Sequence, residues 1–344
     1  MIRNIKKSSI AVITASAFLL AVPAFAQTVL RYSNWLPEGY PVRTQILEPW
    51  MAEVAKVTQG RVKIEATPKV VGTVPGQFDV IRDGLADVAL IVPGYTPGRF
   101  VLTELFELPF LGDFAEARSP ATYRIYQKEL ARYNEFNGVH VISVFTGSAA
   151  QIYTSKREVR SLDDFKGLKL RTPQPATSQA ITLLGGVPVA KPVPEIYELA
   201  SGGVIDGGVI VAETIMGFKL NDILKKVTLV PGGVANTTLL VAMNPAKWNA
   251  LSKDDQEAIN RVSGETLAKL AGRVHDESER KAIESVTKGG ATIYRASAAF
   301  TEEMKVRLAP IEKTWAEKAR TKGVTDPERL IEQLRKEIAS GAGK

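Results

Sequence analysis

The run Asp87-Val88-Ala89-Leu90-Ile91-Val92 constrains the fold of this chain more than any other stretch. Both faces of such a strand are apolar, which suits a strand covered on both sides by helices. The neighbouring sequence supplies the cover. Residues 28–33 (TVLRYS) read as an opening strand. After a turn at Pro37-Glu38-Gly39, residues 43–58 set Ile46, Leu47, Trp50, Val54 and Val57 on one helical stripe. Gly60 ends that helix, and RVKIEATP returns as a strand with Val62 and Ile64 on one face. Residues 77–84 are helical in pattern and lead into the apolar run. Strand, helix, strand, helix, strand predicts an α/β architecture.

The theme recurs around VHVISVF (139–145), GLKLR (167–171), GGVIDGGVIV (202–211) and NTTLLVAM (236–243). Ser252-Lys253-Asp254-Asp255 then makes a capping box and opens a long helical pattern over 252–287. Thirty-odd residues at about 1.5 Å each span roughly 50 Å, longer than one lobe, so this helix is expected to cross between lobes. Residues 298–320 predict a second amphipathic helix despite Pro310, and the charged stretch from Asp326 a last one that frays into GAGK.

Arg3, Lys6 and Lys7, an apolar run Ile10 to Val22, and Ala24-Phe25-Ala26 have the layout of a cleavable signal peptide over 1–26. Cleavage near Ala26-Gln27 predicts an exported, periplasmic chain of 318 residues. The leader takes three of 44 basic residues with it, so 41 face 37 acidic ones, a net charge of +4 without a basic block. Nucleic-acid binding, which needs a concentrated patch, is excluded on that ground. With no cysteine, the exported fold rests on its core rather than on disulfides. Its length exceeds one ordinary core and suggests two lobes.

Catalytic chemistry finds little support. Cysteine nucleophiles and Cys-ligated metals are ruled out by composition. His140 lies in an apolar strand and His275 in the long helix, where core or surface histidines are the simpler reading. No H-E-x-x-H, G-x-S-x-G, P-loop or dinucleotide fingerprint occurs. Asp163-Asp164 and Asp254-Asp255 sit at turns or helix starts, where capping explains them. No metal and no cofactor are expected.

In GLKLRTPQP, Arg171 ends the alternating strand just before Pro173 and Pro175 stop it. It points beyond a strand's carboxyl end, where ligands sit in open α/β sheets. Alone, such an arginine is either a ligand clamp or a solvated charge. The surrounding stretches SLDDFKGLKLRTPQPATSQAITLLGGVPV and PEIYELASGGVIDGG, with PGQFDVIRDGLADVAL and LTELFELPFLGDFAEA upstream, resemble the solute-binding proteins of TRAP transporters, DctP type, over essentially the whole mature chain.

That resemblance implies a two-lobe periplasmic binding protein, type II-like, with mixed sheets flanked by helices and a long helix crossing between lobes. Lobe I would comprise 27–148 plus 236–276, lobe II 149–235 plus 277–335, and 336–344 a flexible tail. It implies a receptor, not an enzyme, that closes on a small organic acid and docks, as a monomer, on small and large membrane permease subunits. Arg171 stands at the family's carboxylate-binding arginine, and a guanidinium's paired donors fit a carboxylate's two oxygens.

Gln151 falls where many relatives carry a second arginine, and Gln174 where some use an amide near the ligand. Beyond Asp206-Gly207 the polar residues of relatives are replaced by Gly208-Val209-Ile210-Val211, with Glu213 the next acid. A neutral amide and an aliphatic wall favour a monocarboxylate with an apolar or aromatic body, although Val209 to Val211 also read as a plain buried strand. Asn34, Trp35 and Tyr95 follow strands of the first lobe and face the expected cleft; the aromatics either stack on a ligand or fill the core. Tyr153 either donates its hydroxyl or packs inward, and Arg99 is a second cation or a solvated loop residue. A receptor for an ATP-driven importer, a sensor subunit and an exported α/β enzyme are the rival readings.

Overall fold

The apolar run becomes a strand buried along its whole length. The computed structural model describes residues 27–341, so the expected leader lies outside the described residues. In chain order the strands are β1 (Thr28–Ser33), β2 (Val62–Ala66), β3 (Val88–Ile91), β4 (His140–Thr146), β5 (Gln151–Thr154), β6 (Lys169–Thr172), β7 (Val187–Ala190), β8 (Gly207–Ile210), β9 (Lys226–Leu229), β10 (Thr238–Met243) and β11 (Thr292–Arg295). They form two mixed sheets, ordered β2-β1-β3-β10-β4 and β11-β9-β5-β8-β6-β7. In the first, β1 runs parallel to β2 and β3, while β10 lies antiparallel between β3 and β4. In the second, β5 is antiparallel to both β8 and β9, and β6 is parallel to β7 and β8.

Two chain segments pass between the sheets side by side. Ala150 and Ala235 form an antiparallel bridge, and Gly147 N–H donates to Thr237 O at 3.0 Å. Gly233, at φ +76°, lies so close that a Cβ would stand 2.8 Å from that of Ala149. The buried Arg118 side chain holds the first crossing, its Nη2 donating to Gly147 O at 2.8 Å.

The single helix expected over 252–287 is two helices, Lys253–Val262 and Gly264–Lys288. The break is tertiary. Ser263 is extended so that its Oγ accepts from Trp50 Nε1 at 3.1 Å, and Gly264 at φ +55° brings its Cα against the Tyr123 hydroxyl. The second helix, 25 residues long and about 37 Å by the usual rise, packs on β4 of the first sheet and on the helix Ala212–Gly217, which follows β8 of the second.

The C-terminal region departs from expectation. Pro310 separates Ala298–Leu308 from Pro310–Thr321, because a proline cannot donate the helical hydrogen bond. Residues 336–341, expected as a flexible tail, continue the helix Pro327–Gly341 with Ile338 buried. This helix lies on the helix Ala115–Ile125, tied by Arg124 to Glu337 at 2.8 Å. The chain therefore returns from the second sheet to the first. No helix among the described residues is long and apolar enough to cross a membrane.

Candidate functional site

A cavity of about 580 Å³, its open mouth included, is lined from both sheets. Trp35, Tyr40, Leu90, Val92 and Tyr95 come from β1, β3 and the turns after them. Arg171 and Pro173 at the end of β6, and Val209, Ile210 and Val211 at the end of β8, stand opposite. Leu239 of β10, Glu213 and His275 complete the polar and apolar lining on which the chemistry depends.

Arg171 is the penultimate residue of β6, between Val189 of β7 and Gly208 of β8. A Cβ on Gly207 would stand 2.0 Å from the Tyr153 carbonyl oxygen, so glycine is required for β8 to lie against β5. The arginine is 3 % exposed. Its Nε donates to Lys191 O at 2.8 Å, while Nη2 is buried with no partner among the described residues. Glu195 acts on it from a distance but pairs with Lys191 at 3.2 Å. Burial lowers the guanidinium's pKa, offset in part by the nearby Tyr95 and Tyr40 phenols, and an arginine so placed keeps its charge. A buried cation without a counter-ion is costly, and an anion entering the cavity relieves that cost.

The walls are held by their own bonds. Trp35 Nε1 donates to Leu90 O at 2.8 Å, which sets the indole along the cavity. The Tyr95 hydroxyl accepts from Val193 N at 3.1 Å, joining the element after β3 to the one after β7. Tyr40 stacks edge-on against Phe218 at 5.6 Å. Glu213 Oε1 lies 2.7 Å from His275 Nδ1, both side chains almost fully buried, and Ser148 Oγ lies 3.2 Å from Glu213 Oε2. Burial first, then repulsion from Glu213, pushes the Glu279 carboxyl up to about 8, so it is neutral at pH 7.

Of the sequence-derived candidates, Arg171, Trp35, Tyr95, Ile210 and Glu213 share this cavity. Five others lie outside its lining. Asn34 Oδ1 accepts from Leu36 N at 3.2 Å and makes the turn that follows β1. Gln151 closes a ring with Val230, its Oε1 accepting from Val230 N at 2.7 Å and its Nε2 donating to Val230 O at 3.2 Å. Gln174 Nε2 donates to Asn236 O at 3.0 Å and Oε1 accepts from Thr177 at 3.1 Å, so it joins β6 to the second crossing segment. Tyr153 is wholly buried in the core, and burial raises its pKa well above the ordinary value. Arg99 lies outside the cavity lining with its side chain 31% exposed; it pairs twice with Asp79 at 2.8 Å and lies over the Phe78 ring.

Residues 32–319 match the family described as bacterial extracellular solute-binding protein, family 7, or DctP. The chain belongs to that family. It is similar to a TRAP periplasmic solute-binding protein from Bordetella bronchiseptica solved with (R)- and (S)-mandelate, at 37% identity and TM-score 0.88, over 91% of this chain and 99% of that one. A marine metagenome TRAP protein solved with 3-hydroxybenzoate shows 33% identity and TM-score 0.87, over 92% and 99%. One from Rhodoferax ferrireducens solved with copurified benzoate shows 28% identity and TM-score 0.87, also over 92% and 99%.

DctP-type TRAP receptors bind small organic acids outside the cytoplasm and work with membrane permease subunits. Within this one, sequence reasoning missed Tyr40 and His275. Tyr40 follows the turn after Trp35 with no periodic signal. His275 did carry one: it lies eight residues after Leu267 and four after Ala271, on the buried stripe of its helix.

Proposed function

We propose that this DctP-family receptor binds an aromatic or otherwise apolar monocarboxylate, with Arg171 on the carboxylate and the two lobes closing round it. The observation that carries the reading is the buried Nη2 of Arg171, without a partner among the described residues, in a cavity whose lining includes Leu90, Val92, Val209, Val211 and Leu239. One cation with aliphatic walls favours a single negative charge on an apolar body and disfavours a second carboxylate. The acids bound by the similar structures, mandelate, 3-hydroxybenzoate and benzoate, have that chemistry.

The lobes of this reading are 27–148 plus 236–276 and 149–235 plus 277–335, except that the last two helices rest partly on the first lobe. The membership of the two sheets supports the division. A periplasmic location after removal of residues 1–26, a monomeric state, small and large permease subunits as partners and a transport rather than catalytic role complete the proposal.

Isothermal titration with benzoate, mandelate and succinate tests it. Wild type is expected to bind at least one of the two aromatic acids and to leave succinate unbound. Arg171→Ala is expected to weaken binding about ten- to a hundredfold for each charge-assisted bond removed, at about 1.5–3 kcal/mol each. Undiminished affinity in that variant overturns the clamp; tight succinate binding overturns the ligand class.

A further inference from the structure

His275 lines the same cavity, and its Nε2 is buried with no hydrogen-bond partner among the described residues. The other face of the ring is fully engaged. Nδ1 lies 2.7 Å from Glu213 Oε1, Glu213 Oε2 lies 3.2 Å from Ser148 Oγ, and the same Oγ reaches the His275 carbonyl at 3.1 Å. Where Glu213 Oε1 accepts from Nδ1–H, the ring that carries that single proton presents Nε2 as a lone-pair acceptor. A carboxylate that orients an imidazole in this way sets which nitrogen stays free.

A buried acceptor left unpaired is costly, and a ligand group that reaches it as a donor removes the cost. The charges around the ring decide which kind of group. Glu213 is its partner, and Asp276 follows it and caps Ala115 and Glu116 N–H. Such an acid-rich surrounding repels a second carboxylate and accepts a neutral donor. Arg171 reaches the cavity from the end of β6 and His275 from the long helix Gly264–Lys288.

We infer that His275 is a specificity-determining residue, accepting a hydrogen bond from a ligand hydroxyl, so that the receptor prefers hydroxylated aromatic monocarboxylates to their unsubstituted parents. The inference rests on the function proposed above and narrows its ligand class.

The test is titration of wild type with benzoate, the three hydroxybenzoates, the three methoxybenzoates, phenylacetate and mandelate. At least one hydroxylated acid is expected to bind about tenfold tighter than its parent, and its methoxy analogue, which cannot donate, to lose that gain. His275→Phe is expected to abolish the gain, so that in this variant the hydroxylated acid binds no tighter than its parent. Because His275→Phe strands Glu213, His275→Asn serves as the second variant: its amide N–H replaces Nδ1 and only the Nε2 acceptor is lost. As a structural readout, the chain has two histidines, so nitrogen-15 spectra assigned with His140→Phe follow Nε2 of His275 directly. Its resonance is expected to move with the hydroxylated acid and not with the parent. A hydroxyl gain that both variants retain, no gain anywhere in the panel, or an unmoved Nε2 resonance overturns this inference alone. If no carboxylate binds at all, the reading of Arg171 falls and this one falls with it.

Discussion

His140 and His275 differ in what faces the ring, and that difference decides their chemistry. His275 has a carboxylate at 2.7 Å. His140 has only an indole: it stacks on Trp248 with centroids 3.9 Å apart and planes 12° from parallel. Burial therefore pushes the His140 imidazole down to about 4 from 6.5. The folded state binds that proton more weakly than the unfolded chain, so the stability this ring contributes is complete above pH 6.5 and is lost as pH falls towards 4. His140→Phe keeps a ring on the indole and removes the proton site. Its melting temperature is expected to fall less steeply than that of wild type between those pH values. Parallel acid limbs would show that His140 does not titrate there. At this scale, the place of Arg171 at a strand's end was legible because an alternating strand stopped at two prolines. The roles of Gln151 and Gln174 were not, because an amide's orientation depends on the backbone it meets, Val230 and Asn236 here, which lies 62 to 79 residues away.

At the scale of elements, local patterns carried the helices and longer strands, and failed where tertiary contact or brevity took over. The strand at 139–145 was visible from its apolar residues; β7, with Pro188, and the half-buried β11 carry four residues each and little alternation. Locally only the Ser263-Gly264 pair interrupts the helical pattern after Val262, a signal that a long helix often tolerates; Trp50 and Tyr123 reach the two residues from distant helices. Gly272 shows the same dependence in a form that can be measured. A Cβ there would stand 2.5 Å from the Ala115 carbonyl oxygen and 2.7 Å from the Glu116 Cα. In an isolated helix, Gly→Ala gains about 1 kcal/mol; overpacking a close contact costs about 1–3 kcal/mol. Both obstructing atoms are backbone and cannot rotate away, so the packing cost is expected to win. Gly272→Ala should lower the urea midpoint, whereas a raised midpoint would mean that the two helices separate freely.

For the whole molecule, the two-lobe plan was legible because strand–helix alternation recurs on both sides of residue 150, and the family motifs ordered the halves. The contacts that join the halves across the cavity were not, since they depend on how one lobe rests on the other. Among them are Tyr95 with Val193, the Gln174 side chain against Gly94, and the Tyr40 ring against Gly217. A Cβ on either glycine would stand 2.3 Å from the opposing side chain, and neither glycine has a positive φ that would strain a larger residue. Gly94→Val and Gly217→Val should therefore oppose the approach of the lobes while leaving each lobe's own packing alone. A ligand shifts a two-state equilibrium only by its greater affinity for one state, so any free energy added against closure is subtracted from binding. With about 1.4 kcal/mol equal to a tenfold change, each variant is expected to bind its acid at least tenfold more weakly. The ligand-free melting temperature should stay within about 2 °C of wild type, a shift that corresponds to under 1 kcal/mol for a chain of this size. Small-angle scattering should show a smaller ligand-induced contraction than in wild type. Undiminished affinity in both variants would mean that these contacts are incidental and that binding does not require the lobes to meet at Gly94 and Gly217.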